Sequence, residues 1–172
     1  MSQMDLIKGQ LDVFLEEGDR ENAIKMLQQI INDEPSNYEL HTELCDLLIM
    51  EGRADEAKQI LAGIPADTAG INKPKYRLEF LNAAEALDSI EELRARIETE
   101  PKGLQQRLDL STQLVADDQI EAALEQLLEI LKLDREWQEQ EARKTMIRVF
   151  DLLGKGNEVA TAYRRKMFTF LH

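Results

Sequence analysis

The sequence predicts an all-α protein made of helical hairpins, and three observations carry that expectation. Apolar residues recur at i, i+3 and i+4 spacing, and no stretch alternates as a strand does. Two segments carry matching residue types 34 residues apart. Eight glycines and four prolines in 172 residues fall mostly where one helical pattern stops and the next begins.

The repeat is read from Phe14–Ile30 against Leu48–Ile64. Phe14 and Leu48, Gly18 and Gly52, Ala23 and Ala57, Leu27 and Leu61, and Ile30 and Ile64 are each 34 apart. Gly18 and Gly52 suit a turn that ends a first helix in the left-handed region, where glycine carries no side-chain penalty. Ala23 and Ala57 are small enough for the second helix to cross the first closely. Leu27, Ile30, Leu61 and Ile64 continue the buried stripe of that second helix. Pro35 and Pro65 stop it. A 34-residue helix–turn–helix period is that of tetratricopeptide repeats, which stack in a right-handed superhelix with a binding groove on the concave face.

A third copy lies 100 residues after the first, with Leu114, Asp118, Ala123, Leu127 and Ile130 opposite Phe14, Gly18, Ala23, Leu27 and Ile30. Asp118 stands where the turn glycine would be. Residues 75–87 and 89–99 read as an irregular pair without a small crossover residue, closed by Pro101. Residues 138–153 and 157–171 form the last pair, broken by Gly154-Lys-Gly156, and residues 65–74 are the longest loop. The expectation is one tetratricopeptide-like repeat domain over 1–172, with about ten helices in five hairpins that bury roughly 70% of the unfolded surface.

Composition excludes several classes. With 43% apolar residues the chain is not disordered. No window reaches the ~18 uninterrupted apolar residues of a bilayer span, and Met1–Asp5 has no signal-peptide character. A single cysteine fits a reducing compartment, so a cytoplasmic chain is expected. Lys and Arg number 21 against 34 Asp and Glu, a net −13 that opposes a phosphate backbone. Neither nucleic acid nor membrane is expected as a partner. The charge is uneven: residues 143–172 hold seven bases and two acids, a net +5, and the other 142 residues hold 14 bases and 32 acids, a net −18. Such an end is either an interaction surface or internal charge complementarity.

Candidate chemistry is sparse. Cys45 lies 34 after Leu11, at the tight helix–helix position, and is expected to be a buried, inert thiol. His41 is four residues before Cys45, but two ligands are too few for a structural zinc site. Glu16-Glu17, Asp117-Asp118 and Glu139-x-Glu141 read as surface charge, and Trp137 as core. Asp12 and Asp46, at the inward position of their first helices, would repel a carboxylate, and Lys8 alone makes no carboxylate clamp. No phosphate loop, Gly-x-Ser-x-Gly or His-Glu-x-x-His occurs. No catalytic residue, metal or cofactor is expected.

The C-terminal segment differs. Asn157 suits an N-cap, and Val159, Ala160, Tyr163, Met167 and Phe170 form one apolar stripe. Arg164, Arg165, Lys166 and Phe168 fall off that stripe. The free face is either a docking surface of i, i+3, i+4 type or the polar outer face of a capping helix.

The run Arg143-Lys-Thr-x4-Phe150-x2-Leu-Gly154 followed by Tyr163-Arg-Arg-Lys resembles the end of the chaperedoxin family, bacterial thioredoxin-like co-chaperones with a C-terminal tetratricopeptide-like domain. Glu17-Gly18-Asp19, Ile64-Pro65 and Ala122-Ala-Leu-Glu-Gln-Leu-Leu128 extend the likeness over essentially the whole chain. The thioredoxin domain of that family is missing from these residues, and one cysteine without Cys-x-x-Cys carries no thiol–disulfide chemistry. The resemblance implies a non-catalytic domain that holds unfolded clients during oxidative stress and delivers them to the chaperonin or Hsp70-type foldases. It implies chaperonin docking through the last helix, with Arg164, Arg165 and Lys166 making contacts and Phe168 or Leu171 anchoring. The alternative is a generic tetratricopeptide scaffold joining proteins in an unrelated complex.

Overall fold

The computed structural model describes residues 1–172 as ten helices and no strand. They are α1 (Gln3–Glu16), α2 (Arg20–Asp33), α3 (Tyr38–Met50), α4 (Ala54–Ala62), α5 (Asn72–Ala84), α6 (Ile90–Thr99), α7 (Leu104–Ala116), α8 (Ile120–Asp134), α9 (Trp137–Leu153) and α10 (Glu158–Leu171). Four consecutive pairs, α1–α2, α3–α4, α7–α8 and α9–α10, pack as hairpins, whereas α6 packs on α7 rather than back on α5, so the irregular pair expected over 75–99 does not close as a regular hairpin.

The turns show why the 34-residue spacing recurs. Gly18 and Gly52 have φ of 74° and 80°. In each hairpin the N–H just past the glycine reaches back to the carbonyl of the repeated apolar residue: Asp19 to Phe14 and Arg53 to Leu48, both 2.8 Å. The third copy makes the same bond, Gln119 to Leu114 at 2.8 Å, with Asp118 at φ 58° in the glycine's place. This pattern satisfies carbonyls that the helix end would otherwise leave open. Ala23, Ala57 and Ala123 are fully buried in the helices that follow.

Main-chain packing divides the chain into two compact units, Met1–Pro74 and Lys75–His172. In the first unit α3 packs on α2 and α4, and it is buried from Leu40 to Ile49 except at His41. A helix that is apolar on most faces is a core helix. In the second unit, α7 packs on α6 and α8, and α10 packs on α8 and α9. Phe80, Leu93, Leu110, Leu124, Met146 and Phe150 form its centre.

Two elements depart from the sequence expectation. The helix read over 75–87 runs from Asn72 to Ala84, with Pro74 in its first turn, where a missing N–H is tolerated. It stops early because the two N–H bonds of Gln113 Nε2 are shared among the carbonyls of Ala84, Leu87 and Asp88, at 2.8, 3.4 and 3.0 Å. The helix read over 138–153 opens with a left-handed turn: Gln138, Glu139 and Gln140 have φ of 47°, 58° and 65°. Each such residue costs roughly 1–2 kcal/mol. The turn re-aims the chain so that Trp137 packs on the core from one side of it and Ala142 is buried on the other.

Two substitutions test this register. Ala57→Leu should overpack a crossing and cost about 1–3 kcal/mol in urea unfolding; an unchanged midpoint would refute the crossing. Glu139→Gly should keep or raise the midpoint, since glycine accepts the left-handed region. A loss of about 1 kcal/mol, as for glycine in an ordinary helix interior, would show that the turn is right-handed.

Candidate protein-interaction site

The C-terminal hairpin is placed by its turn. Gly154 and Gly156 have φ of 87° and 81°, and Asn157 Oδ1 accepts the N–H of Ala160 at 3.1 Å, the expected N-cap. From there the apolar stripe seats α10: Ala160, Tyr163 and Met167 are buried, and Val159, Phe170 and Leu171 are half-buried against the core. Tyr163 Oη donates to Glu125 Oε1 on α8 at 2.6 Å. Burial, with that hydrogen bond to a carboxylate, raises the phenol's pKa.

The five residues expected to bind a partner separate by what they touch. Arg165 is exposed and its guanidinium makes no ion pair or ring contact. Phe168 is 48% exposed, and its ring stacks beside that of His172, 6.1 Å between centroids. Arg164 is exposed, yet its guanidinium lies over the Phe150 ring at 5.0 Å. Lys166 pairs with Glu125 at 3.7 Å and lies over the Tyr163 ring at 4.5 Å. Leu171 is half-buried in the core and its carbonyl accepts from Arg135 Nη1 at 3.1 Å. Arg165 and Phe168, one turn apart, are therefore the side chains that the fold leaves uncommitted.

The place where α9 meets α5 behaves differently. Arg148 from α9 lies over the rings of Phe80 and Tyr76 on α5, at 4.4 and 5.6 Å, and pairs with Glu79 at 3.3 Å. Each cation–ring contact contributes about 0.5–1 kcal/mol or more when desolvated. The chain's own side chains thus span this part of the second unit. The sequence offered only a faint signal for it, because Arg148 reads there as one base among seven.

The remaining candidates resolve into local contacts. Lys8 pairs with Glu39 at 3.6 Å. Asp12 is exposed and Asp46 is buried within α3, so of the two acids only Asp12 is open to solvent. His41 Nε2 donates to the Pro35 carbonyl at 3.0 Å. Trp137 is half-buried against the core. Cys45 is fully buried, its thiol 3.6 Å from the Ala57 carbonyl at the α3–α4 crossing. Burial first, and the Asp46 charge second, push this thiol up to about 12.

These features define an all-helical repeat protein. Two models of the tetratricopeptide repeat family match it, one over residues 83–172 and one over residues 14–77. The chain belongs to the tetratricopeptide repeat family, whose domains are typically protein-interaction modules without catalysis. No curated protein matches it. Among solved structures it is similar to a domain of a protein of unknown function from Vibrio parahaemolyticus, with 24% identity over 98% of this chain and 99% of that one and a TM-score of 0.45. No helix is long and apolar enough to cross a membrane.

The thiol supplies a test. Folding holds Cys45 protonated, so its contribution is fully present below the ordinary thiol pKa of 9.0 and is lost as pH rises toward about 12. Alkylation of the folded chain at about pH 8.5 should be slow and should become fast in denaturant. Rapid labelling of the folded chain would contradict the α3–α4 packing.

Proposed function

We propose that this chain is a non-catalytic adaptor of the co-chaperone type, which holds unfolded clients and presents them to the chaperonin or Hsp70-type foldases through the outward face of α10. The observation that carries the reading is the division of labour on that helix. Ala160, Tyr163 and Met167 seat it, and Arg165 and Phe168 take no part in seating it. A cationic side chain one turn from an exposed aromatic suits docking into an acidic or apolar groove. The likeness of Arg143–Gly154 and Tyr163–Lys166 to the chaperedoxins supplies the class of partner, and membership of the repeat family supports a binding role.

Arg165→Glu combined with Phe168→Ala tests this reading without touching the core. Helicity and melting should barely change, since surface substitutions stay within ~0.5 kcal/mol each. Chaperonin affinity should fall at least about tenfold, because a reversed charge would sit repelled in the interface. Affinity equal to that of the parent chain would reduce the outward face of α10 to a solubilising cap.

A further inference from the structure

Between the end of α5, the start of α6 and the end of α7 lies an open cleft of about 350 Å³, at the small end of ligand pockets, roughly 300–1,000 Å³. Leu81, Ala84, Ile90 and Ala116 give it an apolar lining. Its geometry is fixed by Gln113, which holds the end of α5 through the three carbonyl contacts described above. Glu85, Glu91 and Asp117 also line it, all three exposed. The neighbouring Asp88 is paired with Arg96 at 2.7 Å. Asp117 accepts only from Gln119 Nε2, at 2.6 Å, and no cation pairs with any of the three acids.

An apolar floor under three unneutralised carboxylates accepts an apolar group flanked by cations. The chain displays that combination on α10. Phe168 is one turn after Arg165, at i+3, and Arg164, at i+4 and with its guanidinium over the Phe150 ring, adds a second positive charge on the same side of the helix. Both halves of the match belong to the same molecule, and the net +5 of residues 143–172 against −18 elsewhere gives them opposite potentials.

We propose that the α5–α6–α7 cleft is a docking site for the α10 face of a second copy of this chain, with Phe168 over the apolar floor and Arg164 and Arg165 against Glu85, Glu91 and Asp117. The contact joins two different surfaces, so it is head-to-tail, and every added copy leaves one cleft and one α10 face open. Its small footprint makes it weak and its charges make it salt-sensitive. The proposal does not depend on the adaptor reading. Where both hold, self-association covers the face that meets the partner and withdraws the chain from delivery at high local concentration.

Sedimentation velocity on the full chain, from about 1 μM to about 1 mM, tests the proposal. At low salt the weight-average sedimentation coefficient should rise with concentration, and at about 0.5 M salt it should return toward the monomer value. Glu85→Lys with Glu91→Lys, and separately Arg164→Glu with Arg165→Glu, should each weaken association at least about tenfold while circular dichroism stays unchanged. Mixing the two variants should restore association, because the reversed charges then complement each other across one junction. A monomer at every concentration would overturn the proposal, and so would association that neither variant weakens or that mixing fails to restore. The Glu85→Lys, Glu91→Lys variant keeps the α10 face intact, so its chaperonin affinity reports on the adaptor reading separately.

Discussion

The structure depends on two helices approaching each other at a residue no larger than alanine. Ala23, Ala57 and Ala123 are fully buried in the second helix of their hairpins. At the α3–α4 crossing, the residue opposite Ala57 is the small Cys45, whose thiol touches the Ala57 carbonyl. Such an approach fixes the direction of the second helix, and the connecting turn must then reverse the chain within a few residues. Gly18, Gly52 and Asp118 do so in the left-handed region, and the bonds back to Phe14, Leu48 and Leu114 recover the helix-end carbonyls. A side chain at the crossing and a backbone angle at the turn are thus two halves of one constraint, which is why both recur at the same offset.

That constraint is local, and its locality explains what the sequence makes legible. The hairpins around Gly18, Gly52 and Asp118 can be read because crossing residue, turn residue and stripe all lie within one repeat. The early end of α5 cannot, because its cap is Gln113, 29 residues from Ala84. The left-handed turn at Gln138–Gln140 is hidden for another reason. Gln-Glu-Gln favours an ordinary helix, and the demand to bring both Trp137 and Ala142 onto the core overrides that preference. On α10 the apolar stripe is plain from its period. The contacts that commit Arg164 to Phe150 and Lys166 to Glu125 are not, since their partners lie on α9 and α8.

The same packing limits where a partner can bind. In the second unit Arg148 ties α9 to α5. Opening that junction would separate a guanidinium from two rings and a carboxylate. The outward face of α10 carries no such cost, because Arg165 is exposed without an ion pair and the half-exposed Phe168 has only the terminal His172 ring beside its own. The C-terminal helix is therefore both the cap of the last hairpin and the least expensive surface to cover, and its cationic character sets it apart from the acidic body.

Hydroxyl-radical footprinting of the full chain, alone and with the chaperonin, addresses the central claim directly, because it reads side-chain exposure residue by residue. The account predicts that Phe168 is oxidised readily in the free chain and becomes protected in the complex, with Tyr76 and Phe80 beneath Arg148 unchanged. Protection at Tyr76 with Phe168 left reactive would contradict it, and would place the partner where α9 meets α5.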